Sequence, residues 1–507
     1  MDLQQVPIIP FILSFLLFLV ILMKLCKISK FQTSRLSLPP PGPSKLPVIG
    51  HLHHLRSGLP HHTLRDLAKI HGPLMYLNLG EIPTLVISSS SMAKQMMTTY
   101  DLMFVNRPQS LAAEIVSSGY IDVVFAPYGD YWRQARKICV LELLTAKRVK
   151  SFWSVREEAI MDLIERISVM IGSPMNLSKE IFALTTDTVA RTAFGKTCKD
   201  KEACLSGIRE INLLFSGFSI GDVFPSLKFL QVLSGKKRLL EKAKQKVDIV
   251  LERIIKEHQE NRVAVDPASV EDFVDVLLRI QEGGELVFPL TTDMIKAITF
   301  DMFAAGTDTS STALEWTFSE LLRNPRVMEK AQAEVRQIFK GKKKISQEDV
   351  NKLKYLELVI KESLRLHPPF ALLLPRECGE SCVMEGYEIP KGSKVLVNLW
   401  AMGRDPEQWR DPERFVPERF QDQSINYSGT DYKYIPFGSG RRMCPGIQFG
   451  IANIELPLAL LLYHFDWKIP NGVRPDELDM TESMTVVVKR EFQLYVIPMP
   501  YNQTEAK

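Results

Sequence analysis

Residues 437–446 read Phe437-Gly-Ser-Gly440-Arg-Arg442-Met-Cys444-Pro-Gly446, and a long apolar segment, Ile447 to Phe465, follows. A cysteine stands at the end of a glycine-rich turn, just ahead of what reads as a buried helix. Proline is favoured at the first helical position, so Pro445 predicts a helix N-terminus with Cys444 just outside it. There the helix dipole and free N–H groups stabilise negative charge, which on a cysteine is a thiolate. The glycines carry no Cβ and let the backbone approach something flat and bulky. The plain alternative is a lone buried cysteine in a turn.

The chain has 507 residues, 45% hydrophobic and 24% charged, a globular composition. Its net charge of +4 is too small for this size to argue for nucleic acid. The seven cysteines are odd in number and scattered, with no CxxC pair. That pattern indicates a reducing compartment and excludes a disulfide framework or a zinc site built on paired cysteines.

Val6 to Met23 is almost wholly apolar. An 18-residue helix spans roughly 27 Å, close to a hydrocarbon core of about 30 Å. Its Leu, Ile, Phe and Val residues supply on the order of −4 to −8 kcal/mol of insertion free energy. The basic residues Lys24, Lys27, Lys30 and Arg35 follow the segment rather than precede it. This predicts an uncleaved anchor over 1–30 with the bulk of the chain cytoplasmic. Residues 31–43 then form a linker ending in the stiff run Pro39-Pro-Pro-Gly-Pro43, and 44–507 form one large domain.

Within that domain, Leu74–Leu79 and Thr84–Ser88 alternate about Gly80 and predict a β-hairpin. Lys236 to Arg262 reads as a surface helix whose basic face is a solvated face before it is a docking site. Thr291 or Thr292 caps a helix running to Arg323, where Asn324-Pro325 ends it. At 1.5 Å per residue it is about 48 Å long. Ala305-Gly306-Thr307-Asp308-Thr309 in its middle are mostly poor helix formers, and threonine hydroxyls bond back to the preceding turn, so a local widening is expected. Glu362 and Arg365 share a helix face, a pattern that alone carries little information.

Taken together, these stretches resemble the cytochrome P450 monooxygenases, and the motifs fall in that family's order from residue 39 to beyond 490. The turn at Phe437, Gly440, Arg442, Cys444 and Gly446 matches its haem-binding signature. Five such positions match by chance in roughly one chain of this size in several thousand, which weighs against the lone-cysteine reading. The resemblance implies a mainly α fold with a smaller β region and a single N-terminal transmembrane helix. It implies haem b with the Cys444 thiolate as axial ligand. Trp132, Arg133, Arg136, Arg376 and Arg442 stand where the family binds the haem propionates. Thr309 is implied as hydrogen-bond donor to the oxygen being activated, and Asp308 as acid of the proton relay. Glu362, Arg365 and Arg419 match a buried charge network. Arg419 is preferred to the arginine of the earlier copy, Pro412-Glu-Arg-Phe415.

By family position the substrate pocket is lined by Ser110–Val124, Leu213–Phe218, Ile298–Ala305, Phe370–Leu374 and Met484–Val486. Asp301 and Thr485 are unusual polar groups there, beside Ala304, Ala305, Phe370 and Leu373. The implied partners are O2, a small hydrophobic substrate, the endoplasmic reticulum membrane and a separate NADPH-cytochrome P450 reductase. Pro127-Tyr-Gly-Asp-Tyr-Trp-Arg133 and Phe300-Asp-Met-Phe-Ala-Ala-Gly-Thr307 resemble the plant seventy-one clan, particularly its D-like members. That points to a terpenoid substrate, with an indole alkaloid or a phenolic as the alternative. A haem-thiolate isomerase working without O2, or an anchored haem carrier, is disfavoured by the Asp308-Thr309 pair.

Overall fold

The structure is a computed structural model that describes residues 38–501, apart from 57, 196–200, 216–218, 232–233, 262–269, 285 and 422–423. The anchor expected over 1–30, residues 31–37 of the expected linker and residues 216–218 of the expected pocket lie outside the described residues. The proline run is docked rather than free. Pro40 is buried, and the Tyr76 N–H donates to Pro41 O at 2.9 Å. The Pro41 carbonyl completes the hydrogen bonding of a strand edge.

Helix α1 (Pro60–His71) opens on a proline at its first position. It leads into the antiparallel hairpin β1 (Leu74–Leu79) and β2 (Ile82–Ile87). The turn at Gly80 is where the alternation put it, and β2 starts two residues earlier than expected. The helical body then comprises α2 (Asp130–Ile138), α3 (Leu177–Phe194), α4 (Lys201–Phe215), α5 (Lys236–Asn261), α6 (Phe273–Gly283), α7 (Thr292–Arg323), α8 (Pro325–Phe339) and α9 (Lys354–Leu366). β3 (Arg376–Glu377) and β4 (Lys394–Val397) complete a four-stranded sheet in the order β1-β2-β4-β3. α10 (Ile447–His464) and a small hairpin, β5 (Glu482–Met484) with β6 (Val488–Arg490), follow.

The axis of the body is α7. Thr291 caps it, its hydroxyl accepting from the Met294 N–H at 3.3 Å, and the helix stops at Asn324 before Pro325. It is α-helical throughout, so the expected local widening brings no break in the helix. Leu314, Phe318 and Leu321 of α7 share one core with Leu458, Leu461 and Leu462 of α10. Each such side chain contributes roughly 1.5–3 kcal/mol on burial. α10 is long and apolar enough to cross a membrane, yet these residues bury it in the core, so it is an internal helix.

A histidine at the edge of the body makes stability pH-dependent. His258 Nε2 lies 2.8 Å from Asp272 Oδ2, and Asp272 also caps α6. Burial disfavours the charged ring, but the hydrogen bond and charge of Asp272 outweigh it and raise His258 to about 9. A group raised in the folded state stabilises fully below its unfolded value, here 6.5, and that stability is lost as pH rises through about 9. Urea unfolding should show a loss of about 3 kcal/mol across this window. His258→Gln is expected to abolish that slope, and a variant that keeps it would rule out the pair as its origin.

Candidate active site

Cys444 sits in a tight turn. Its N–H donates to Phe437 O at 2.9 Å, and the Gly446 N–H points at Sγ from 3.3 Å. α10 begins at Ile447 with Gly446 as N-cap, so Pro445 is not the first helical residue as expected. The turn ends two residues later because the Gly446 N–H is used locally by the sulfur. Burial pushes the thiol up, while Gly446 N–H and the Arg136 guanidinium pull it down. Gly440 is required by space and conformation. Its φ is +70°, and a Cβ there would lie 2.7 Å from Asp101 Oδ1.

Arginines converge on this turn. Arg376 is buried and donates to Asp101 Oδ1 at 3.0 Å and to Ser439 O at 2.8 Å. Buried Arg442 donates to Val105 O at 2.9 Å and Ala126 O at 2.6 Å, and lies 4.3 Å over the Trp132 ring. Trp132 Nε1 donates to Val123 O at 3.0 Å. Arg136 donates to Met443 O. A fourth cation, Arg107, was not singled out from sequence. It donates to Leu374 O at 2.6 Å and Pro375 O at 3.0 Å. Burial, then repulsion from Arg376 and Arg442, pushes Arg107 far down. Burial and repulsion from Arg376 lower Arg442 to about 10. Arg133 does not join them. It is exposed, pairs with Asp130 one turn back and lies over the Tyr128 ring.

On α7, Thr309 Oγ1 donates back to Ala305 O at 2.7 Å, as its position predicts. Ala305 itself is exposed in the middle of a mostly buried helix, so α7 has an open face there. Asp308 turns away from Thr309. Its Oδ1 accepts from Lys489 Nζ of β6 at 2.9 Å and its Oδ2 from Asn212 Nδ2 of α4 at 2.5 Å. Three elements are thus tied at one carboxylate.

Glu362, Arg365 and Arg419 are brought together. Arg365 donates from Nε to Glu362 Oε2 at 2.7 Å and from Nη2 to Oε1 at 2.8 Å. Arg419 Nε and the Val416 N–H reach the same Oε1 at 2.9 and 2.8 Å. Burial is complete for the side chains of Glu362 and Arg365.

The model of the family described as Cytochrome P450 matches residues 40–496. The chain belongs to the cytochrome P450 family. A desmethyl-deoxy-podophyllotoxin synthase of Sinopodophyllum hexandrum is 56% identical over 470 residues, 92% of both chains. Premnaspirodiene oxygenase of Hyoscyamus muticus is 51% identical, covering 91% of this chain and 93% of that one. Amorpha-4,11-diene 12-monooxygenase of Artemisia annua is 50% identical, covering 93% and 94%. Among solved structures, a zebra fish cytochrome P450 with progesterone superposes with a TM-score of 0.77 at 25% identity, covering 88% of this chain and all of that one.

As in other cytochromes P450, the cofactor is haem, and the residues present fit it. Arg107, Arg136, Arg376 and Arg442 lie near one another, with Asp101 and Asp122 beside them among the described residues. Arginine recognises carboxylates bidentately, so this surplus of positive charge suits two propionates. A cation bound at Cys444 Sγ deprotonates the thiol outright, reversing the effect of burial.

The expected pocket residues divide. Ala304 lines a small enclosed space with Phe303, Leu205 and Ile208, next to Asp308. Phe370 and Leu373 are half-buried, with Leu373 against the turn at Gly438. Thr485 is exposed in the β5–β6 turn, its N–H donating to Val487 O at 3.1 Å. Asp301 is buried, and its Oδ2 accepts from the Val123 N–H at 2.8 Å. Burial, then repulsion from Asp122, pushes it far up. It fastens the loop around Val123.

Proposed function

We propose that this cytochrome P450 hydroxylates a terpenoid hydrocarbon, taking two electrons from NADPH through NADPH-cytochrome P450 reductase. Residues 1–30 anchor it in the endoplasmic reticulum membrane, with the catalytic domain in the cytosol. The observation that carries the substrate class is the run of relatives near 50% identity over nine-tenths of the chain that are named for terpene oxidation. They include premnaspirodiene oxygenase, germacrene A hydroxylase and amorpha-4,11-diene 12-monooxygenase. The relative at 56% identity is named for desmethyl-deoxy-podophyllotoxin, and that favours a podophyllotoxin-type aromatic substrate as the second reading.

Held by Cys444, haem supplies activation of O2 and insertion of one oxygen atom into a C–H bond. The chain contributes the rest. Arg107, Arg136, Arg376 and Arg442 orient the cofactor, Thr309 offers its hydroxyl on the open face of α7, and Asp308, paired with Lys489, is the acidic group of the proton relay. Thr309→Ala is expected to keep the haem spectrum while most NADPH consumed goes to peroxide. Unchanged coupling of NADPH to product would sink the role given to Thr309.

The substrate reading is tested with microsomes containing this protein and a plant reductase. Sesquiterpene hydrocarbons, podophyllotoxin-type aromatics and alkaloids are titrated while the haem spin state is followed, and NADPH-dependent products are identified. A spin shift and a hydroxylated product with a terpene are expected. A response confined to the aromatic set would replace the first reading by the second.

A further inference from the structure

Away from the haem site, α1 and β5 bring together three groups that the reaction does not use. His61 Nε2 and His62 Nε2 lie 2.9 Å and 2.8 Å from one and the same oxygen, Glu482 Oε2. Adjacent helical residues ordinarily point about 100° apart. Here, in the first turn of α1, the two rings meet edge-on with centroids 4.5 Å apart. The three ligand atoms lie within 4.8 Å of one another. We propose that His61, His62 and Glu482 form a reversible binding site for a divalent transition cation of the zinc class.

The donor set decides the class. Two imidazole nitrogens and a carboxylate oxygen suit tetrahedral zinc with one open position, whereas magnesium and calcium require oxygen donors. The ligands are held in place by their neighbours. Glu482 Oε1 accepts from Trp400 Nε1 at 3.0 Å, and Asn398 Nδ2 fixes the His61 carbonyl at 2.8 Å. The His62 ring lies against Trp400 at 4.1 Å between centroids.

Access and charge are also favourable. The side chain of His61 is fully buried and Glu482 nearly so, while that of His62 is 38% exposed, so a cation enters and keeps its open position on the His62 side. Arg404 and Arg65 lie over Trp400 at 3.9 and 4.8 Å, but both face Glu413, at 3.0 and 3.8 Å, which offsets their charge. Each imidazole binds through Nε2 and carries its hydrogen on Nδ1, and the metal takes the place of the two contacts to Glu482 Oε2. His61 Nδ1 has no partner to receive that hydrogen. An acceptor there strengthens a metal-bound histidine, so its absence sets this site for exchangeable rather than permanent metal. An occupied site would tie α1 to the hairpin whose second strand carries Lys489, the partner of Asp308.

The test uses full-length holoprotein purified without a polyhistidine tag, stripped with chelator and dialysed against micromolar Zn2+. A single zinc per haem is expected. His62→Asn and Glu482→Gln should each weaken binding by more than about 100-fold, beyond what loss of a neighbour of a ligand costs. The ferrous–CO spectrum should stay unchanged, and His53→Asn, in the neighbouring histidine run, should bind as before. No zinc retained by the unaltered protein, or zinc that survives both substitutions, overturns the proposal. X-ray absorption at the zinc edge of the unaltered protein tests the ligand set without any variant. Nitrogen and oxygen scatterers at about 2.0–2.2 Å are expected, and sulfur at about 2.3 Å overturns the site.

Discussion

Glu362→Ala should yield a protein that retains no haem and is recovered mainly as aggregate. Its carboxylate is fully buried and is shared by Arg365, Arg419 and the Val416 N–H. Removing it leaves two guanidiniums without their counter-charge in the interior, which costs about 3–5 kcal/mol. A domain is stable by only about 5–15 kcal/mol, so a loss of this size removes much of the margin. The location makes the loss worse. Arg365 also donates to Gly403 O, Pro412 O and Arg414 O, and Arg419 to Arg410 O. These bonds fasten the segment that leads from β4 to the cysteine turn onto α9. Arg365→Lys keeps the charge but cannot reproduce the fork, and the same failure is expected of it in milder form. Haem content per protein, read from the ferrous–CO difference spectrum, and the melting temperature check both variants. A Glu362→Ala protein with normal haem and normal melting would show that the network is dispensable.

Elements with local causes were legible in the sequence. α7 begins and ends where Thr291 and Asn324-Pro325 put it, because cap chemistry and the missing proline N–H act within a few residues. The hairpin at Gly80 follows from alternation in the same way. What escaped depends on contacts distant in sequence. Arg107 is an arginine before a proline, with no periodicity to mark it, and only the fold brings it near Arg376 and Arg442. Asp301 lies on the face that spacing gave it, but spacing does not report that the Val123 N–H arrives to meet it. Arg133 and Arg136 are one turn apart and equally eligible on the helix. Asp130, three residues before Arg133, captures it and leaves Arg136 to reach Met443. The start of α10 was misplaced because proline marks a preference, while the local bond from Gly446 to the sulfur decides the outcome.

Cys444→Ser is the substitution expected to remove activity while leaving the chain folded. Serine keeps an acceptor for the Gly446 N–H, and the bond from the residue 444 N–H to Phe437 O belongs to the backbone, so the turn survives. A loss of about 1 kcal/mol in stability is expected, the usual size for a point change. The chemistry does not survive, because it is the thiolate that ligates metal and a serine hydroxyl keeps its proton. Formation of product from NADPH with reductase should fall to that of membranes without the protein, and the ferrous–CO band should leave the position given by a thiolate ligand. Cys378→Ser is the control. Cys378 is a buried thiol donating to Glu380 O at 2.9 Å beneath β3, and burial pushes it up to about 12, so it is an inert packing group. Turnover should be intact there. If Cys444→Ser retains the thiolate-type CO band and turns over substrate, the iron is held elsewhere, and the assignment of the turn at 437–446 falls with it.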